Sequence, residues 1–179
     1  MRILRLSVQV AAFIMLFIFL ACTSTNFSNI WKDETYQEHP NKILVINAFQ
    51  NPSIRRIFED EIVKALRDRR VTVVVKYTVM PGTFVYDKDA IAAQAKEVGA
   101  DTVLITRPVG SRMGASGSAG DLYINTQTDV YDMRSNRLIL TASAETQMRQ
   151  GATDLQHYLT KVPSFVKDLV NKLSQAGLF

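Results

Sequence analysis

The 179-residue sequence contains a single cysteine, Cys22, and only two histidines, His39 and His157. One cysteine excludes a disulfide within the chain, so the fold must rest on its apolar core. Neither histidine lies in the spacing of a metal-ligand set. The sequence therefore predicts no metal site and no cofactor.

Catalytic motifs are also missing. The serines of the glycine-rich segment 110–120 lack the context of a nucleophile elbow, and the segment has neither the lysine nor the glycine spacing of a phosphate-binding loop. The run Glu59-Asp60-Glu61 does not place adjacent carboxylates on one helical face and is interpreted as solvated charge. We predict no catalytic residue.

The charge of the chain is nearly balanced. Of 21 lysines and arginines, Arg2 and Arg5 precede the apolar run described next, which leaves 19 against 17 acidic residues, a net charge of about +2. A balance this small does not indicate a nucleic-acid partner.

The amino-terminal segment has the pattern of a secretory signal peptide over residues 1–21. Two arginines precede an uncharged apolar run from Val10 to Ala21, which ends at Cys22. The run is short for a membrane span, which needs roughly 20 apolar residues. An uncleaved signal anchor is the alternative interpretation.

The residues Phe19-Leu20-Ala21-Cys22 resemble the lipobox of bacterial lipoproteins. The resemblance implies cleavage before Cys22 and attachment to a membrane through acyl chains on that residue, which would be an anchor rather than a nucleophile. The next residue, Thr23, is not the aspartate that retains many enterobacterial lipoproteins in the inner membrane. The expected location is the periplasmic face of the outer membrane.

Residues 22–41 are polar with scattered aromatics and show no sustained period, so the sequence predicts a lipid-anchored tether. Trp31 lies within it. A single tryptophan near a tether either packs onto the domain or contacts a partner, because aromatic residues are enriched at protein-binding sites.

Residues 42–179 predict one α/β domain with a mixed sheet of about five strands, in two or three layers. Apolar and β-branched runs alternate with amphipathic segments, which gives the order strand, helix, strand, helix, strand. The predicted elements are a strand from Lys42, a helix from Asn51-Pro52, a strand over Val71–Thr78, a helix from Asp87 or Asp89 to Val98, and a strand over Asp101–Thr106.

An antiparallel hairpin and a carboxy-terminal helix complete the predicted domain. Two alternating runs, 122–131 and 138–148, indicate the hairpin, and Pro163 is expected to split the last helix. The segment 110–120 is predicted to be a mobile loop, either a flexible hairpin or a partner contact. Arg112 and Met113 are its candidate contact residues.

Three phrases of the chain resemble a family of uncharacterised proteobacterial lipoproteins: 54–61 (IRRIFEDE), 98–105 (VGADTVLI) and 129–132 (DVYD). More distantly, the order of elements is similar to the α/β domain of the curli-secretion lipoprotein, of the lipoprotein activators of penicillin-binding proteins and of the amino-terminal part of the Tol–Pal translocation protein. The resemblance implies a periplasmic binding or assembly module and carries no active-site residues. No pair of amphipathic strands long enough for the curli channel is evident.

Two functional hypotheses follow. The first is a lipid-anchored, non-enzymatic module that binds another envelope protein, or a second copy of itself. The second is a small-ligand binder or hydrolase with a pocket at the carboxyl ends of the parallel strands, near Phe49-Gln50-Asn51 and Arg107-Pro108.

Overall fold

A computed structural model describes residues 25–67, 69–80, 87–114, 121–148 and 155–179, with the backbone alone for residues 155–159. In this part of the chain a six-stranded mixed sheet has the order β1-β6-β5-β4-β2-β3. The elements are β1 (Thr25–Lys32), β2 (Lys42–Asn47), α1 (Pro52–Arg67), β3 (Thr72–Val75), α2 (Lys76–Val79), α3 (Lys88–Glu97), β4 (Thr102–Met113), β5 (Leu122–Asp132), β6 (Arg137–Met148) and α4 (Leu155–Gln175).

The parallel half of the sheet consists of β2 between β3 and β4. Its central strand is buried on both faces from Ile43 to Ile46, as its unbroken apolar run predicts. The strands β4, β5, β6 and β1 pair antiparallel. The predicted βαβαβ unit followed by a hairpin is therefore confirmed.

Two apolar cores lie on opposite faces of the sheet. Helices α1 and α4 cover one face, where Phe58, Leu169 and Leu140 are almost fully buried. Helix α3 covers the other face only over the parallel half, where Ile91 and Ala95 pack on Leu44, Ile46, Val103 and Ile105. The domain thus has three layers at β2 and β4 and two layers at β1 and β6.

The predicted helix starts are confirmed by their capping bonds. The side chain of Asn51 accepts a hydrogen bond from the backbone N–H of Ser53 at 2.9 Å, and Pro52 opens α1. Asp87 caps α3 by accepting from the N–H of Asp89 at 2.9 Å. Gly99 follows α3 with a φ of 65°, a conformation that favours glycine.

The tether predicted over residues 22–41 is wrong from Thr25 onward. Residues Thr25–Lys32 form the edge strand β1 on β6, with a bulge at Ser28. Phe27 and Ile30 pack against the core formed by α1 and α4, as does Tyr36 in the connection that follows. The domain therefore begins at least 17 residues before Lys42, and the sheet has six strands rather than five. Residues 22–24 lie outside the described residues.

Phe27 supplies a direct test of this boundary. Its ring stacks on Phe165 of α4 with centroids 5.9 Å apart. We expect Phe27→Ala to lower the free energy of unfolding by about 2 kcal/mol, because the half-buried ring loses apolar burial and aromatic contact. Urea denaturation measures the change, with Ser28→Ala at the exposed bulge as the matched control. Equal stability of both variants would restore the tether interpretation.

The second predicted strand and the predicted helix break also need correction. Strand β3 ends at Val75, and the short helix α2 replaces the rest of the run; there the buried Glu59 carboxylate accepts the N–H of Tyr77, which would otherwise be free to pair in a strand. Helix α4 continues through Pro163. Pro163 is exposed, so its missing backbone bond faces water, and Val162 and Phe165 beside it hold the helix against the core.

The predicted loop 110–120 is shorter than expected. Strand β4 extends to Met113, paired with Leu122 of β5, and carries a bulge at Val109. Residues 115–120 lie outside the described residues. Glycine is rare in strands, so Gly110 made a strand look unfavourable in the sequence. Hydrogen-bonded pairing with β5 nevertheless keeps residues 110–113 in β4.

Candidate functional site

Of the four predicted site residues, Trp31, Arg112 and Met113 are described and Cys22 is not. Trp31 lies on β1 and is 46% exposed, so about half of the residue is covered by the domain and half is accessible; packing and partner contact both stay predictions. Arg112 and Met113 are neighbours at the end of β4, and their side chains point to opposite faces of the sheet. Arg112 shares a face with Trp31.

That shared face is the second surface of the antiparallel half of the sheet, and we call it the open face. Strand register defines it, because Phe27 and Ile30 point to the α1/α4 core and the alternate residues of β1 point away. No helix in the described part of the chain covers it. Its residues are Asn26, Asn29 and Trp31 of β1, Thr141, Ser143, Glu145 and Gln147 of β6, Tyr123, Asn125, Gln127 and Asp129 of β5, and Arg107 and Arg112 of β4.

A hydrogen-bond network centred on Asp129 organises the open face. The carboxylate is 2% exposed and accepts bonds from Arg107 Nη2 at 3.0 Å, Gln127 Nε2 at 2.8 Å and Thr141 Oγ1 at 2.8 Å. The donors come from β4, β5 and β6, so the network joins three strands. Trp31 lies opposite Thr141 in the strand register and therefore borders this network.

A second ion pair lies near the end of β4. The guanidinium of Arg112 makes two hydrogen bonds to the Glu145 carboxylate, at 2.6 and 2.7 Å, and lies 4.0 Å from the ring centroid of Tyr123. The hydrogen bonds from Arg112 lower the pKa of Glu145, and the bonds to Glu145 raise the pKa of Arg112. Each arginine of the open face is therefore matched by a carboxylate.

The carboxyl ends of β2 and β3 hold a buried carboxylate that the sequence did not indicate. Glu59 of α1 is 1% exposed and accepts the backbone N–H of Asn47 at 3.1 Å and of Tyr77 at 3.2 Å. Burial raises the pKa of Glu59, and burial lowers the pKa of the nearby Lys76. Glu59 is thus a buried structural group, and the interpretation of this run as solvated charge is wrong for Glu59.

The pocket expected at these strand ends is small. Beside Phe49, a cavity of about 40 Å³ lies between α1, α4 and the sheet, and its lining is almost wholly apolar, including Ile54, Phe58, Met148 and Phe165. A groove of about 240 Å³ runs beside α3, past Lys88 and Tyr131. Pockets for small-molecule ligands usually measure about 300–1,000 Å³. Neither depression reaches that range. A third and more open depression of about 560 Å³ lies between α1 and the end of β3, beside Asp60, Tyr77 and Thr78, and does reach it.

Two further observations concern the described residues alone. Among them, no three histidine, cysteine, aspartate or glutamate side chains come together in a way that could hold a metal ion. None of the helices in this part of the chain combines the length and apolar character that a membrane crossing requires.

Comparison with known proteins identifies the fold. No protein-family model matches the chain, and no curated protein matches it either. Among solved structures, the PelC dodecamer from Paraburkholderia phytofirmans aligns with a TM-score of 0.53 at 12% identity, covering 83% of this chain and 96% of that chain. Lipoprotein GNA1162 from Neisseria meningitidis aligns with a TM-score of 0.50 at 14% identity, covering 76% of this chain and 99% of that chain.

These similarities show a shared fold, and the predicted likeness to a distant lipoprotein-like group is confirmed at that level. The alignments span nearly the whole of both relatives. The described sheet, with its open face, thus belongs to a fold that is also found in a protein described as a lipoprotein and in one described as a dodecamer.

Proposed function

We propose that this chain is a lipid-anchored, non-enzymatic module of the cell envelope that binds another protein through its open face. The observation that carries the proposal is Trp31, which is 46% exposed on a sheet surface that no described helix covers. Tryptophan is enriched among the residues that contribute most to protein-binding surfaces.

The polar groups of the open face support binding because they are already fixed. Asp129 and Glu145 each hold an arginine, and these bonds keep the side chains in one arrangement before a partner arrives. A fixed surface loses less conformational entropy on association than a flexible one. The paired charges also favour a partner surface that is polar and uncharged over a strongly acidic or basic one.

The anchor in this proposal is Cys22, acylated after cleavage of residues 1–21, and the location is the periplasmic face of the outer membrane. The lipobox-like residues before Cys22 and the threonine after it support this location. Several acyl chains on one residue hold a protein at a membrane almost permanently, whereas one chain gives marginal binding.

The partner is a second envelope protein or a second copy of this chain. Self-association is favoured as the second form of the proposal because a relative of the same fold is described as a dodecamer. The small-ligand or hydrolase hypothesis has less support at its expected place, because the cavity beside Phe49 is about 40 Å³ and apolar; the depression of about 560 Å³ beside Asp60 and Tyr77 is the site that remains for it.

Thiol labelling in intact cells tests the proposal. Ser143 lies on the open face in β6, opposite Asn29 and Gln127, and the chain offers no other thiol once Cys22 is acylated. We expect the cysteine of Ser143→Cys to react slowly in cells and readily in the purified protein, because the bound partner covers it.

The matched control is Ala93→Cys on the exposed side of α3, whose cysteine should react equally in both preparations. Ready reaction of the cysteine at position 143 in cells as well as in the purified protein would contradict binding through the open face, whereas slow reaction in both would indicate a second copy of this chain as the partner.

A further inference from the structure

One end of the sheet lies next to the proposed anchor. Strand register aligns Thr25 with Thr146, Thr146 with Ile124, and Ile124 with Ser111, so these four residues form one row across four strands. We call this row and the residues beyond it the anchor end. Beyond the row lie Arg112, Met113, Leu122, Tyr123, Gln147 and Met148.

The short chain between Cys22 and the first residue of β1 sets an upper limit on the distance between the anchor end and a membrane that holds Cys22. Three peptide steps separate Cys22 from Thr25. A fully extended chain covers roughly 3.3–3.6 Å per residue, so the two residues are at most about 11 Å apart. If Cys22 carries acyl chains, as the proposed function requires, the anchor end lies at the bilayer surface.

The exposed apolar side chains of this end agree with that position. Among the described residues, the exposed large hydrophobic side chains are Trp31, Val109 and Met113. Met113 lies at the anchor end and is 54% exposed, Val109 lies two residues inside the row at Ser111 and is 53% exposed, and Trp31 lies toward the other end of β1. The exposed Met113, with Val109 close to the row, is compatible with a position of this end at a bilayer, which the short chain from Cys22 requires.

The polar residues of the anchor end suit a lipid headgroup layer. Tyr123 presents an aromatic ring with a hydroxyl, a combination enriched at membrane interfaces, and the Arg112 guanidinium lies over that ring. Among the residues of this end that the structure describes, Arg112 is the one arginine, and it is paired with Glu145. In the described part of this end, the contact therefore rests on apolar insertion.

We propose that the anchor end lies against the phospholipid surface, with Met113 inserted among the headgroups, so that the strands stand away from the membrane. Six residue steps lead from Thr25 to Trp31 on β1, which corresponds to about 20 Å at the rise of a strand. The orientation places Trp31 and the adjoining part of the open face at that distance from the bilayer, where a periplasmic protein can reach them.

Depth-dependent fluorescence quenching tests the orientation on the full acylated protein in vesicles of phosphatidylethanolamine and phosphatidylglycerol. Met113→Cys is labelled with nitrobenzoxadiazole, and the quencher is a spin label on the lipid acyl chains. We expect the label at position 113 to shift its emission to shorter wavelength and to lose most of its intensity. The control is Glu34→Cys in the exposed turn after β1, whose label should show neither change.

The outcomes separate this inference from the function on which it rests. Protein that sediments with the vesicles while the label at position 113 stays unquenched would overturn the orientation alone. Wild-type protein that sediments no better than Cys22→Ser would overturn the anchor, and with it the proposed function. A quenched label at position 34 and an unquenched label at position 113 would reverse the orientation.

Discussion

Replacing Glu59 by alanine is expected to lower the free energy of unfolding by about 3 kcal/mol. The carboxylate is the acceptor for the backbone N–H groups of Asn47 and Tyr77, and both would be left without it in a buried region. The buried ammonium of Lys76, 7% exposed, would also lose its nearby negative charge. Urea denaturation followed by circular dichroism measures the difference.

Glu59→Gln is the matched control because it keeps the size of the side chain and removes the charge. Its single carbonyl oxygen accepts one of the two backbone N–H groups, so we expect a loss of about 1 kcal/mol. A Glu59→Ala variant as stable as the wild type would show that the carboxylate does not join β2 to α2.

Urea denaturation of the wild type and of Glu59→Gln at a series of pH values tests the raised pKa of Glu59. In the folded protein burial raises that pKa above its ordinary value of 4.5, so the protonated form is favoured by folding. The stability that Glu59 contributes is therefore complete below pH 4.5 and decreases as pH rises through the folded pKa. The free energy of unfolding of the wild type, minus that of Glu59→Gln, should therefore fall as the pH is raised from 4.5.

Replacing Trp31 by alanine is expected to weaken partner binding by about 2 kcal/mol, roughly 30-fold in Kd. Among the described residues of the open face, Trp31 is the exposed large hydrophobic side chain, and it borders the fixed network around Asp129. Because the side chain is 46% exposed in the free domain, its removal should change the free energy of unfolding by less than about 1 kcal/mol.

Titration of the isolated partner with each variant gives the affinity, and thermal unfolding gives the stability. Val109→Ala is the control, since it removes an exposed apolar side chain away from Trp31. An unchanged Kd for Trp31→Ala would exclude Trp31 as a binding residue. A large loss of stability would assign it to packing instead.

The parallel half of the fold could be predicted from the sequence because its signals are local. The run Ile43–Ile46 is apolar throughout, Asn51 and Asp87 cap the following helices, and Gly99 ends the second of them. Each signal lies within a few residues of the structure that it specifies, so a single sequence contains it in full.

Strand β1 could not be predicted because it depends on a distant partner. Its residues pair with β6, with Thr25 opposite Thr146, more than a hundred positions along the chain. A bulge at Ser28 also breaks the period of two, so Phe27 and Ile30 face the same core although they are three residues apart. Edge strands with this irregularity look like polar linkers in a sequence.

In the candidate site, too, local features could be predicted from the sequence and long-range arrangement could not. Trp31 and Arg112 could be selected by residue type and by the polar or glycine-rich segments around them, but their common face follows only from the register of β1, β6, β5 and β4. The burial of Glu59 was hidden because its neighbours in sequence, Asp60 and Glu61, are charged. Three adjacent acidic residues on a helix point in different directions, so their exposure differs.

Photocrosslinking in living cells tests the central claim most directly. A benzoylphenylalanine residue at position 143 samples the middle of the open face, and one at position 93 samples the exposed side of α3. We predict that position 143 captures one protein reproducibly, identified by mass spectrometry as an envelope protein or a second copy of this chain. In the Trp31→Ala background this product should largely disappear. No product from position 143, or the same product from position 93, would contradict binding through the open face.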